Sequence, residues 1–481
     1  MADWSLAGLE FWGWAGVLLT ALNYVIVALL VPRILMQSRD PRGALAWIFF
    51  VLLVPPMGLF GFWVVGPGKL QLRRRLLRRP RPGVSPQLQS RIVRGSGEPP
   101  PLSGRLLALS RGVGPPGPTA CNEVRFCNDG PETFAIWERA IDAATHHVHF
   151  EVYIFKRDET GVRVRDALIR ALGRGVRVRL LLDDVGSRAA SPRFLAPLVA
   201  AGGEVARFLP LNLFSRQLSI NHRNHRKILI VDGRVGFVGG YNVGDEYAGK
   251  GQPWRDSMVE VKGPLVHSMQ EVFCRDWYQA TGLETDDPGF FPEPERCGGV
   301  WGQLLTSGPG DRYWSPIYVL MVNAINDASE RVWLETPYFV PDDTFLLALV
   351  GAALRGVDVR VVVPQSPDHS VVAWAARSYY SELLAAGVKI YELPEVMLHA
   401  KTMTIDGNFA TVGSTNLDQR SFRLNFEVNG FFYGPQVAQE VEAAMKVTQG
   451  EAKRVEKGLF HKRRWLQRML EAFARIFAPL L

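Results

Sequence analysis

His225-Arg226-Lys227-Ile228-Leu229-Ile230-Val231-Asp232-Gly233 is written a second time as His399-Ala400-Lys401-Thr402-Met403-Thr404-Ile405-Asp406-Gly407. In both copies the lysine follows the histidine by two positions and the aspartate by seven. A small-residue segment then brings an asparagine at the same interval: Gly239, Gly240 and Asn242 in one, Gly413, Ser414 and Asn416 in the other. The apolar, β-branched runs read as strands, and residues two apart on a strand share a face. Asp-Gly at the end of each run predicts a tight hairpin turn. Each copy is thus expected to be a hairpin presenting an imidazole beside an ammonium.

An imidazole can attack phosphorus or exchange a proton near neutral pH, and a fixed ammonium offsets charge on phosphoryl oxygens. Two such units facing each other supply a nucleophile and a general acid. A lone histidine would read as a surface or core residue, but an identically spaced repeat does not. Asp232 and Asp406 fall at the turns, so they are expected to order the motif more than to move protons.

Around the motifs the pattern is α/β. Val148–Ile154 and Val176–Asp183 read as strands separated by a helix over Val162–Leu172. Val332–Tyr338, Phe345–Leu354 and Val357–Val363 repeat the order in the second half. Strands alternating with helices predict mixed sheets flanked by helices, one per half.

The spacing resembles the phospholipase D superfamily, whose signature is H-x-K-x4-D followed by G-[GS]-x-N. The second copy continues through Leu417-Asp418-Gln419-Arg420-Ser421 to Asn425 and Glu427, the first through Asn242-Val243-Gly244-Asp245-Glu246-Tyr247. Together with two apolar N-terminal segments, these residues resemble the bacterial-type cardiolipin synthases. The resemblance implies two pseudo-symmetric halves with one site between them, and a two-step transfer of a phosphatidyl group between phosphatidylglycerol molecules without metal or cofactor. His225, Lys227, Asp232, His399, Lys401 and Asp406 would form the catalytic set, with His225 preferred as nucleophile although the symmetry of the motifs does not separate it from His399. Asn242 and Asn416 would donate hydrogen bonds to substrate. Glu151 and Glu335, at equivalent strand positions, are candidates to orient an imidazole.

Phe11–Val31 and Ala44–Gly66 carry no charge, and roughly 20 apolar residues suffice to cross a hydrocarbon core. The acidic n-region (Asp3, Glu10) and the second apolar run argue against a cleaved signal peptide. Pro55-Pro56 should kink the second run or make it re-entrant. Lys69 to Arg94 holds nine basic residues and no acid. By the positive-inside rule this cluster stays in the cytoplasm with the catalytic halves, and the short loop with Arg33, Arg39, Asp40 and Arg42 lies outside. The expected location is the bacterial inner membrane, with a multi-pass anchor. The cluster could also hold anionic headgroups.

The division expected is an anchor over 1–68, a basic, Pro-rich linker over 69–118, a first half over 119–295, a second half over 296–450, and an amphipathic C-terminal helix over 451–481. With 481 residues, 47% hydrophobic and a net charge of +8, the chain suits a membrane enzyme handling anionic phospholipid. Basic charge alone would also suit nucleic acid, but two membrane segments argue against a nuclease. An oligomer is left open. Cys121, Cys127, Cys274 and Cys297 show no metal or disulfide spacing and read as reduced thiols. His146, His147 and His149 lack acidic or thiol companions and read as sheet or surface residues; His222, His267, His369 and His461 have no counterpart in the repeat. The alternatives carried forward are a phospholipase D-type hydrolase, a transfer to another alcohol, and a non-catalytic lipid-binding scaffold. The C-terminal Lys462–Phe477, apolar at helical spacing with cations opposite, is expected either on the membrane interface or docked on the protein.

Overall fold

The β-branched runs around the two motifs form strands that pair into a single sheet in the computed structural model of the chain, which describes residues 21, 24–36, 41–54, 57–59, 61–62, 83–92, 103–114, 117–210, 222–311, 314–476 and 478. The chain divides into two compact units, Met1–Pro80 and Arg81–Leu481.

In the first unit, residues 24–36 are helical, as is α1 (Pro41–Leu53). Val27, Ile34, Ala44, Val51 and Phe62 are buried together, while Leu29, Met36, Phe49 and Leu53 remain exposed. Among the described residues no helix is long and apolar enough to cross a membrane. The start of the expected span at Phe11, the Pro55-Pro56 kink and, apart from Arg91, the basic cluster lie outside the described residues.

The second unit opens with β1 (Thr119–Cys127), β2 (His147–Val152), β3 (Arg177–Asp183), β4 (Glu204–Phe208), β5 (Ile228–Val231), β6 (Val235–Gly239), β7 (Trp254–Arg255) and β8 (Met258–Lys262). It continues with β9 (Val300–Ser307), β10 (Arg331–Glu335), β11 (Phe339–Val340), β12 (Asp358–Pro364), β13 (Lys389–Leu393), β14 (Met397–Leu398), β15 (Thr402–Ile405), β16 (Phe409–Gly413), β17 (Leu417–Asp418), β18 (Glu427–Tyr433) and β19 (Lys453–Arg454). Fifteen of these strands make one sheet. Its order from one edge is β4-β3-β2-β5-β6-β8-β1, then β9-β18-β16-β15-β10-β12-β13-β19. Seven strands of each half mirror one another across the β1–β9 seam, and the second half adds β19 at its outer edge. The parallel trio β2-β3-β4 is matched by β10-β12-β13, and the halves join where β1 runs antiparallel to β9, Thr119 opposite Gly302.

The predicted hairpins form as the Asp-Gly signal requires. Asp232 and Gly233 turn at φ of 54° and 64°, Asp406 and Gly407 at 51° and 67°, so the first two residues of each three-residue loop, between paired Val231 and Val235 and between paired Ile405 and Phe409, are left-handed. Helices α2 (Leu265–Thr281) and α4 (Pro435–Glu451) pack on the sheet of the first and second half respectively, and α3 (Ser370–Ala386) supports the C-terminal helix α5 (Trp465–Ile476).

Part of the stretch expected as linker belongs to the folded body. Gly104–Gly112 is a helix capped by Ser103 Oγ, which accepts from Leu106 N–H. Leu106 and Val113 are buried in the core of the second half, and Leu88 and Ile92 pack with Phe290 and Phe291. The Pro-rich composition concealed short apolar segments that cap core edges. The second-half core reaches back to these N-terminal residues because β9 stands at the centre of the sheet.

Candidate active site

Each histidine sits on the extended lead-in to its hairpin and is fixed there by the other half. The N–H of His225 donates to Phe426 O at 2.9 Å, and that of His399 to Arg255 O at 2.7 Å. A bridge between Asn224 and Phe426 and the parallel pairing of β14 with β7 extend these contacts. The next residue along each supporting strand is a carboxylate. Nδ1 of His225 lies 3.0 and 3.1 Å from the two carboxylate oxygens of Glu427, and Nδ1 of His399 lies 2.5 Å from Asp256 Oδ2. At His225, where Nδ1 meets only the Glu427 carboxylate, this acceptor assigns the proton to Nδ1 and leaves Nε2 with its lone pair; at His399, Nδ1 faces both Asp256 and the Lys401 amine. His225 is 8% exposed and His399 6%, so each ring is nearly enclosed but not sealed.

Burial pushes both imidazoles down to about 4, and it outweighs the opposing pull of Glu427 and Asp256. Both rings are therefore neutral at pH 7. Glu427 stays ionised, because His225 and Lys227 hold its carboxyl below the usual range despite burial.

Lys227 and Lys401 are buried beside their histidines. Lys227 Nζ donates to His225 O at 2.6 Å, and Lys401 Nζ donates to His399 O and lies 2.9 Å from Nδ1 of the same ring. Burial, then the charge of Lys401, pushes Lys227 well below its ordinary value, and burial brings Lys401 down to about 8. Lys401 also acts on His225, and Lys227 on His399. The two motifs therefore stand within electrostatic reach of each other, each lysine disfavouring the charged form of the other half's imidazole.

Asp232 and Asp406 lie elsewhere. Asp232 accepts from the N–H groups of Thr145, His146 and His147 and from Thr145 Oγ1; Asp406 accepts from Ser329, Glu330 and Arg331 in the same pattern. These contacts hold both carboxyls below the usual range against the effect of burial. At about 3.3 Å per extended residue, seven positions put them roughly 23 Å from the imidazoles. They pin each hairpin turn to the start of the neighbouring strand.

The expected orienting pair also falls elsewhere. Glu151 accepts from Asn224 Nδ2, and its carboxyl is pushed up by burial and by Asp276. Glu335 accepts from Thr402 Oγ1 at 3.1 Å. Both lie on the sheet face covered by α2 or α4, and neither is a partner of an imidazole. Asn242 accepts from Ile154 N–H and donates to Tyr247 OH, while Asn416 Oδ1 is buried without a partner. His146, His147 and His149 form a ladder with Gln270 and Phe290 on the α2 face. No group of side chains that could hold a metal occurs among the described residues.

Asp256 and Glu427 are the residues that motif reading missed. The signal was present: each follows the Asn of its motif by a short interval and precedes the residue whose carbonyl receives the N–H of Gly240 or Ser414, at 2.8 and 2.9 Å. Aligning the two halves beyond the asparagines would have placed one carboxylate opposite the other.

The family model for the cardiolipin synthase, PLD-like domain matches residues 138–277 and 321–448. A cardiolipin synthase of Geobacillus sp. strain WCH70 is 36% identical over 97% of this chain and 95% of its own length. The major cardiolipin synthase of Bacillus subtilis is 35% identical over 97% of this chain and 99% of its own. The crystal structure of a phosphatidylserine synthase from Haemophilus influenzae shares the fold, with a TM-score of 0.59 at 13% identity, over 74% of this chain and 95% of that one.

Proposed function

The chain belongs to the family of cardiolipin synthases built on phospholipase D-like domains, and from that premise we propose that it is a phosphatidyltransferase joining two phosphatidylglycerols into cardiolipin and glycerol. The observation that carries the reading is the reciprocal seating of His225 and His399, each held at Nδ1 by a carboxylate of the opposite half.

In the first step Nε2 of His225 attacks the phosphorus of one phosphatidylglycerol. The bond from phosphorus to the glycerol headgroup oxygen breaks, and protonated His399 delivers its proton to that oxygen. The phosphodiester anion raises the proton affinity of the imidazoles and offsets the positive charge of the two lysines. In the second step neutral His399 takes the proton from a hydroxyl of another phosphatidylglycerol, whose oxygen attacks phosphorus and releases His225. Glu427 and Asp256 hold the rings in the required tautomer and offset the imidazolium when it forms. Asn416, with an unpartnered Oδ1, and Asn242 are assigned to substrate contact.

Two N-terminal segments anchor this body in the bacterial inner membrane, with the cluster from Arg73 to Arg81 cytoplasmic. The length and lack of charge of Phe11–Val31 and Ala44–Gly66 support this part of the reading. Single cysteines at Ser38 and Ser85 test it: an impermeant thiol reagent outside the cell should label only Ser38, and labelling at Ser85 would reverse the orientation.

The decisive assay uses the purified full-length chain in phosphatidylglycerol vesicles, with products resolved by mass spectrometry. Cardiolipin and glycerol in equal amounts are expected. Phosphatidic acid with glycerol would make the chain a hydrolase, and absence of turnover in folded protein would leave a lipid-binding scaffold.

A further inference from the structure

Helix α5 is mounted with its polar side inward. A helix that only needs shelter turns its large apolar side chains toward the protein. Here Glu471 and Ala474 are the buried positions, whereas Trp465, Leu466, Met469, Leu470, Phe473 and Ile476 are between 41% and 71% exposed. At 3.6 residues per turn these six fall within an arc of about 140°. Polar contacts fix the roll of the helix: Arg463 pairs with Glu471 and donates to Ser381 Oγ at 3.3 Å, and the Arg475 guanidinium stands 4.6 Å from the ring centre of Tyr379. The apolar arc cannot turn inward without breaking that seat. Arg464 and Arg468 are exposed at the helix start and first turn, with Lys462 just before it, so cations border the arc.

We propose that the outward face of α5 lies in the headgroup layer of an anionic phospholipid bilayer and forms a membrane contact separate from the N-terminal segments. A continuous apolar arc bordered by arginine and lysine fits that layer by both its characters: apolar side chains enter the acyl boundary, and the cations meet lipid phosphates. A second copy of this chain would bring the same cations against themselves, which disfavours it as the occupant. The inference goes beyond the catalytic reading and survives its failure.

The test uses the full-length chain with Cys121→Ser, Cys297→Ser and Met469→Cys, labelled with an environment-sensitive fluorophore. Cys127 and Cys274 stay in place, because both are buried with thiols pushed up to about 11 and are spared by brief labelling at pH 7. In vesicles of phosphatidylcholine with phosphatidylglycerol, acyl-brominated lipid should quench the label and aqueous iodide should not. A label at exposed Gln439 on α4 should show the reverse. Arg464→Glu with Arg468→Glu should weaken the lipid quenching roughly threefold or more, as should vesicles of phosphatidylcholine alone. His399→Ala should leave it unchanged, which separates this result from failure of the catalytic reading. Quenching by iodide would overturn the proposal by showing the face in water. Protection from both quenchers would overturn it by showing protein cover, from a second copy or from the N-terminal segments. Lipid quenching indifferent to charge would overturn the anionic assignment.

Discussion

The two halves reach the same imidazole–carboxylate geometry by different means. In the first half the carboxylate is a short Asp256 and the residue beside it is Gly240, where a Cβ would stand 2.0 Å from Asp256 Oδ1. In the second half the longer Glu427 leaves room for Ser414, whose hydroxyl donates to Glu427 Oε2 at 2.5 Å. The residue between histidine and lysine differs as well: Arg226 is buried against Asp276 and donates to Glu427 O, whereas Ala400 makes no such link. The seating of the rings is therefore the constant of the site, and the supports around it are alternative solutions to one steric problem.

The strongest attempt to break the equivalence is removal of either ring. His225→Ala and His399→Ala should each lower turnover by on the order of 10⁴-fold or more, since attack and proton transfer each need their own imidazole. Trapped phosphatidyl-histidine, mapped by peptide mass spectrometry, should appear on His225 in the His399→Ala chain. Trapping on His399 instead would exchange their roles, and near wild-type turnover by either folded variant would refute the two-histidine mechanism.

Next come the orienting carboxylates. Asp256→Asn and Glu427→Gln should each cost about 10²-fold or more in kcat with little change in KM, because an amide can present the wrong hydrogen-bonding group to Nδ1. Glu151→Gln and Glu335→Gln should leave the pH profile of kcat in place. A displaced profile in either would return them to the site.

The glycine–serine difference sharpens the comparison further. Gly240→Ser should lower turnover by roughly 10²-fold by displacing Asp256, while Ser414→Gly, losing one hydrogen bond to a charged group, should cost only about tenfold. Equal effects would mean that the two pockets are sterically alike.

A last contrast between the halves concerns stability in acid rather than turnover. His147 is pushed down to about 4, chiefly by burial, and His149 is held well below its ordinary value. Their counterparts on β10 are Arg331 and Trp333. An unfolded histidine binds its proton near pH 6.5, so between about 6.5 and 4 the unfolded chain binds more protons than the folded one. Stability is then full above that window and is lost as pH falls through it, by about 3 kcal/mol at most for His147. Hydrogen exchange at pH 5 should open β2 before β10, and equal protection in both strands would remove this asymmetry.

The hairpins, their turns and the alternation of strand and helix were legible because each depends on neighbours within about a dozen residues. Strand pairing across the halves was not, since nothing local to Phe426 or Arg255 marks it as the acceptor for a distant histidine. The orienting residues escaped for the same reason: Glu427 stands beside the second motif in sequence yet serves the first histidine. Glu151 and Glu335 drew attention through symmetry of position, but strand alternation places them with His149 and Trp333 on the helix-covered face. The Asp of each motif was rightly read as a turn residue from its Asp-Gly context, although the spacing that marks the family also carried it into the catalytic set.

Because the carboxylate for each ring is lent by the other half, the site has no half-working state. Any widening of the seam beside β7 and β14 releases both imidazoles from their partners together, so attack and protonation fail as a unit. A phosphatidyl group can thus be loaded only where the seam that seats both rings is closed. Separate expression of the halves should yield two inert proteins whose mixture regains activity, with a rate rising as the product of their concentrations until the seam is saturated.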